Sequence, residues 1–163
     1  MKLTPRSIVL SGLIAAIYTA LTLLLQPFGY GPVQFRLAEA LTVLPALVPA
    51  SVPGLVIGCF LANWLGGFGL VDMVFGSLAT LLAGLCTYLL RDKRFLYPLP
   101  PVIFNGVIVG SYVYLLYDKT YPWLLTMLFI AISEAVLTYG VGLPLLSIMR
   151  KNRGINQFLD LDK

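Results

Sequence analysis

Histidine is absent from this 163-residue chain, and its two cysteines, Cys59 and Cys86, sit far apart inside apolar stretches. The commonest ligands of a transition-metal site are therefore missing, and no metal and no cofactor are expected. The cysteines read as small buried hydrophobes. Charge is nearly as scarce. Asp, Glu, Lys and Arg make up 11% of the chain, against about a quarter in soluble domains, while 59% is hydrophobic and mean hydropathy is +0.91. Such a chain belongs in a bilayer. A P-loop is lacking too, so the chain cannot itself couple ATP to transport. No segment alternates polar with apolar over the length of a barrel strand. No internal repeat of the kind that builds inverted-repeat transporters is visible. The first six residues carry no clear cleavage pattern of a secretory signal. The net charge of +4 does not point to nucleic acid, because the basic residues cluster where membrane topology places them.

What is present is a series of apolar runs near the roughly 20 residues a helix needs to cross a membrane. Six are expected, at about 7–26, 35–49, 52–65, 71–90, 99–116 and 123–149, in one domain covering residues 1–163. Prolines 27, 32, 53, 98, 100, 101 and 122 fall between them or at their edges. The second and third runs are short for a straight crossing. With six spans, Lys2, Arg6, Arg91, Lys93, Arg94, Arg150, Lys151, Arg153 and Lys163 share one side, and only Lys119 and Arg36 lie on the other. This asymmetry places both termini in the cytoplasm.

Ionisable residues inside such runs need a reason, because a charge at the centre of a membrane helix costs roughly 2.5–3.5 kcal/mol. Arg36 and Glu39 are three apart, close enough to share a helix face and pair, with Gln34 at the helix mouth. Counted inward from the outer ends, Arg36, Glu39, Asn63 and Asp72 lie in the outer half and Glu134 about half-way down, as a floor. The pattern predicts a polar pocket open to the outside. Asn105 counts to the cytoplasmic half and reads as a packing hydrogen bond. Tyr30, Trp64 and Phe68 are candidate walls for a flat ligand, with Phe28, Phe35 and Tyr112 at the same level. Tyr121 and Trp123 read as interfacial belt. Asp72, Gly76 and Thr80 recur every fourth residue, with Asp72 either a helix cap or a ligand contact. Gly12, Ala16 and Ala20 form a stripe of small residues in the first span. From the residues alone, that stripe reads as packing within the bundle before it reads as a partner surface.

The stretches QFRLAEALTVLP at 34–45, ANWLGGFGLVDMVFGSLATL at 62–81, PPVIFNG at 100–106 and SEA around Glu134 resemble the QueT family of queuosine-precursor transporters. The members of that family are substrate-binding S-components of energy-coupling factor (ECF) transporters. The likeness spans nearly the whole chain and rests mainly on the first two stretches; relatives often carry Ser where this chain has Ala38. It implies a six-helix bacterial cytoplasmic-membrane protein that captures queuine or another 7-deazaguanine from outside. Such a protein docks on a transmembrane coupling subunit driven by two ATPase subunits, and the stripe Gly12, Ala16 and Ala20 then faces that subunit. A deazaguanine offers two adjacent donors that a carboxylate can accept, expected at Glu134. Its carbonyl suits Arg36, Gln34 or Asn63, and an added ammonium suits Glu39 or Asp72. The competing classes are a small intramembrane enzyme using its carboxylates for proton transfer and a purely structural membrane subunit.

Overall fold

A computed structural model describes residues 4–28 and 34–159, and all regular structure among them is helical. Helix α1 spans Pro5–Leu24. The Thr4 hydroxyl accepts the Ser7 amide, the Ser7 hydroxyl accepts the Thr4 amide, and Pro5 fills the first position, where no donor is needed. After a short turn at Gln26–Phe28 comes a 3₁₀ segment, Leu37–Ala46. Then follow α2 (Ser51–Leu65), α3 (Asp72–Leu89), α4 (Leu99–Tyr117), α5 (Trp123–Lys151) and α6 (Arg153–Leu159).

Six elements stand where six spans are expected, but only four of them, α1, α3, α4 and α5, are long and apolar enough to cross a membrane. The 3₁₀ segment has 10 residues and α2 has 15. Pro45 lies within the first of these, and Pro49 and Pro53 stand on either side of the start of the second. Proline lacks the amide that an α-helix interior needs, and three in nine residues break one long helix into two short ones.

The 3₁₀ segment is the axis of the bundle. It is long for its type, since such runs seldom exceed 3–4 residues, and it buries eight of its ten residues. It touches all five of the helices α1 to α5. A 3₁₀ helix rises about 2.0 Å per residue, so ten residues cover about 20 Å on a narrower cylinder than an α-helix, and neighbours can come close. Gly142 of α5 uses this: a Cβ there would lie 2.9 Å from the Ala40 carbonyl oxygen.

Helices α1 and α2 meet backbone to backbone. A Cβ on Gly54 would stand 2.5 Å from the Ser11 carbonyl oxygen, and one on Gly58 would stand 2.9 Å from that of Ala15. Side-chain hydroxyls then cross the seam, Ser11 to the Ala50 carbonyl at 2.6 Å and Thr19 to that of Gly58 at 3.1 Å. The inner face of α1 is therefore Ser11, Ala15, Tyr18 and Thr22. Gly12, Ala16 and Ala20 point away from the bundle and are exposed, so they do not serve the internal packing that the residues alone suggest.

Three of the four long helices, α3, α4 and α5, widen into π turns at Asp72–Gly76, Asn105–Val109, Val113–Tyr117 and Val136–Gly142. π turns are rare and concentrate at functional sites. Here each helix has one beside the same interior space.

Candidate functional site

That space lies between the start of the 3₁₀ segment and the middles of the long helices. Gln34, Arg36 and Glu39 line it from the 3₁₀ entry, Cys59 from α2 and Gly76 from α3. Asn105, Val109 and Tyr112 come from α4, and Ile130 and Glu134 from α5. The side chains close on a volume of about 10 Å³, room for roughly one water molecule. The site is thus preassembled in composition but shut in this conformation.

Glu39 is held from two sides. The Tyr18 hydroxyl of α1 donates to its Oε1, and Asn105 Nδ2 of α4 donates to Oε2 at 3.4 Å. The chain enters the site at Gln34 with φ +42°, a left-handed conformation uncommon outside glycine. Its carbonyl accepts the Ser133 hydroxyl of α5 at 3.2 Å, which ties the entry to the residue next to Glu134. Arg36 is buried, with Nη1 4.0 Å from Cys59 Sγ, and its charge acts on both Glu39 and Glu134.

Glu134 differs from Glu39. It is 4% exposed, and its Oε2 is shut away from solvent with no hydrogen-bond partner among the described residues. A buried unpaired acceptor costs about 1–3 kcal/mol, more when charged.

Asn63 and Asp72 form a layer next to the cavity rather than lining it. Asn63 Nδ2 donates to the Asp72 carbonyl at 2.8 Å and lies 3.5 Å from Cys59 Sγ, while Asn63 Oδ1 is buried without a partner among the described residues. The Asp72 carboxylate accepts the Tyr112 hydroxyl at 2.9 Å. Asp72 does not cap the helix, since residues 70 and 71 are already helical ahead of it and its carboxylate is turned to Tyr112. Thr80, expected on the same face, donates to the Gly76 carbonyl at 3.0 Å.

Two of the expected aromatic walls, Trp64 and Phe68, do not line this cavity. Trp64 is 60% exposed, and Phe68 lines a separate, open recess with Gln26 and Pro27 at the opposite end of α1 from Thr4. Tyr30 lies outside the described residues. Among the described residues, Tyr112 is the aromatic side chain in the wall.

Tyr18, Cys59 and Asn105 are the residues that sequence reasoning assigned elsewhere or passed over. Asn105 does bond across helices, but to Glu39 and inside the cavity, not below it. Position along its own helix does not give a residue's level in a bundle, because tilt and stagger between helices intervene. For Tyr18 a signal existed, a phenol mid-span on a helix otherwise made of small and aliphatic residues, where a hydroxyl needs a partner. Among the described residues, no group of three or more His, Cys, Asp or Glu side chains could hold a metal ion.

An all-helical bundle with four membrane-length helices around a polar, carboxylate-bearing cavity has the architecture of a multi-pass membrane protein. The chain belongs to the QueT transporter family, whose profile matches residues 8–151. It is 35% identical over 88 residues to the queuosine precursor transporter QueT of Lactococcus lactis subsp. cremoris (strain MG1363), covering 53% of this chain and 52% of that protein. In this match the chain spans about half the length of its curated relative. No solved structure matches it.

Proposed function

We propose that this chain is the single-domain, substrate-binding membrane subunit of an ECF-type importer, and that it captures queuine or another 7-deazaguanine from outside the cell. The observation that carries this reading is the buried Oε2 of Glu134, without a partner among the described residues, in the same cavity wall as Arg36. A deazaguanine presents a ring N–H and an exocyclic amine side by side, and Glu134 accepts both. Its carbonyl takes a hydrogen bond from Arg36 or from the Gln34 side chain. Glu39, braced by Tyr18 and Asn105, faces the ammonium that queuine and the aminomethyl precursor carry. Two carboxylates around one guanidinium leave an excess of acid, which a cationic ligand offsets. Because the chamber holds about one water as it stands, binding requires the walls to part.

In this reading the 3₁₀ segment and α2 complete a six-span arrangement with both termini in the cytoplasm. The exposed stripe Gly12, Ala16 and Ala20 meets the transmembrane coupling subunit, and two ATPase subunits supply the energy. The outward direction of that stripe supports this assignment.

The test is Glu134→Gln in the purified chain, with binding of queuine and of the neutral nitrile precursor measured by calorimetry. Truncating a buried charged partner commonly costs 2–5 kcal/mol, so both affinities fall by about 30-fold to several thousandfold. Glu39→Gln weakens queuine and spares the nitrile. Unchanged affinities for both ligands in both folded variants refute the pocket.

A further inference from the structure

A second cleft, of about 250 Å³, opens between the 90–98 loop and the last turns of α5, lined by Arg94, Tyr97, Ser147, Arg150 and Lys151. Three of these five residues are cations and none is acidic. Asp92, the only carboxylate in that loop, does not line the cleft, and Arg91 is stacked over the Tyr88 ring at 4.5 Å. The walls are tied in place. Thr87 Oγ1 of α3 donates to the Tyr97 carbonyl at 2.9 Å, the Tyr139 hydroxyl of α5 to the Phe95 carbonyl at 2.8 Å, and Asn156 Nδ2 of α6 to the Arg150 carbonyl at 2.8 Å.

Two ordinary explanations fall short. The negative end of the α5 dipole favours Arg150 and Lys151 in its last turn, but Arg94 arrives from a different element. Topology bias puts cations in loops but does not require them to converge on one cleft, where they repel one another.

Several residues beside the cleft positions are apolar and exposed. Phe95 and Leu96 separate Arg94 from Tyr97, Ile148 follows Ser147, and Leu89 closes α3; all four are exposed. A cationic cleft bordered by exposed hydrocarbon has the amphipathic profile of a phospholipid. We propose that it binds the headgroup of an anionic phospholipid, with phosphate oxygens held by Arg94, Arg150 and Lys151 and the acyl chains against Leu89, Phe95 and Ile148. Guanidinium forks match phosphate geometry bidentately, and basic pockets at the ends of membrane helices bind such headgroups. Three cations exceed the single charge of phosphatidylglycerol, so a lipid with two phosphates, cardiolipin, binds more tightly.

The site is independent of the central cavity, and so is its test. The full chain in detergent is titrated with cardiolipin, phosphatidylglycerol, phosphatidylcholine and inorganic phosphate, and bound lipid is counted by native mass spectrometry. One tightly held cardiolipin per chain is expected, with phosphatidylglycerol weaker and phosphatidylcholine not retained. Arg94→Gln, Arg150→Gln and Lys151→Gln together lower cardiolipin affinity about a hundredfold, whereas the equally charge-depleted control Arg91→Gln, Lys93→Gln and Lys119→Gln stays within about threefold. Should the triple variant fail to fold, Arg94→Gln alone, with a loss of about fivefold, decides. Equal cardiolipin binding by the altered and parent chains, equal retention of phosphatidylcholine, or displacement by inorganic phosphate at matched concentration overturns the proposal.

Discussion

The two interior glutamates share one chamber and differ in what surrounds them. Glu39 has a donor on each oxygen, from Tyr18 and Asn105, whereas one oxygen of Glu134 has no partner among the described residues. Tyr18→Phe keeps the ring and removes the donor, leaving Glu39 Oε1 buried with nothing to accept. A loss of about 1–3 kcal/mol is expected, read as a lower melting temperature in detergent, while Tyr121→Phe at the half-exposed outer surface has little effect. Gly76 tests the chamber wall. A Cβ there would lie 3.2 Å from Asn63 Nδ2, 3.7 Å from the Tyr112 hydroxyl and 3.8 Å from Cys59 Sγ. Gly76→Ala therefore fits with small adjustments but takes space from a cavity that has little. Ligand affinity should fall about tenfold or more, in the 1–3 kcal/mol range of overpacking, with the fold retained. The polar set Arg36, Glu39 and Glu134 was legible in the sequence because charge in an apolar run is conspicuous. Tyr18 and Asn105 were harder to place, because amphiphilic and amide side chains also serve ordinary packing.

Among the elements, α1 is the clearest case of two faces with separate duties. Its inner face abuts Gly54 and Gly58 so closely that any side chain there must push the helices apart, whereas a Cβ on Gly12 meets nothing within 4 Å. Gly54→Val should destabilise the isolated chain by several kcal/mol, because the clash is with backbone and cannot be relieved by a rotamer change. Gly12→Leu should leave the stability and ligand affinity of the isolated chain unchanged and impair uptake by the assembled transporter. Loss of binding in Gly12→Leu would return the stripe to the interior. A four-residue recurrence of small side chains announces a close helix approach without saying on which face it occurs. The same helix carries Ser11 and Ala15 one position along from Gly12 and Ala16, and only the docked partner distinguishes them.

For the whole molecule, the proposed orientation rests on charge. Arg94, Arg150 and Lys151 gather at one cleft, and the Ala46 end of the 3₁₀ segment packs against Tyr97 and Met149 near that same end. At the opposite end, Gln26 Nε2 donates to the Gly66 carbonyl and the Tyr117 hydroxyl to that of Phe68. With the basic end in the cytoplasm, Lys119→Cys should react with a membrane-impermeant maleimide added to intact cells and Lys93→Cys should not. Labelling in the reverse pattern would invert the topology and the direction from which the cavity is approached.

Composition and hydropathy alone determined that this is a helical membrane protein, because apolar runs of that length and so few charges have no other stable solution. The boundaries of the helices followed from proline placement, and the family from the long motifs at 34–45 and 62–81. The tertiary structure decided what the second run is, a ten-residue 3₁₀ axis rather than an α-helix. It also brought Asn105 and Tyr18 to Glu39, and put Trp64 and Phe68 outside the chamber. Those outcomes depend on how far each helix is tilted, staggered and turned against its neighbours. That relation is set by glycine contacts such as Gly54, Gly58 and Gly142 and by local π turns, and no periodicity within a single segment carries it.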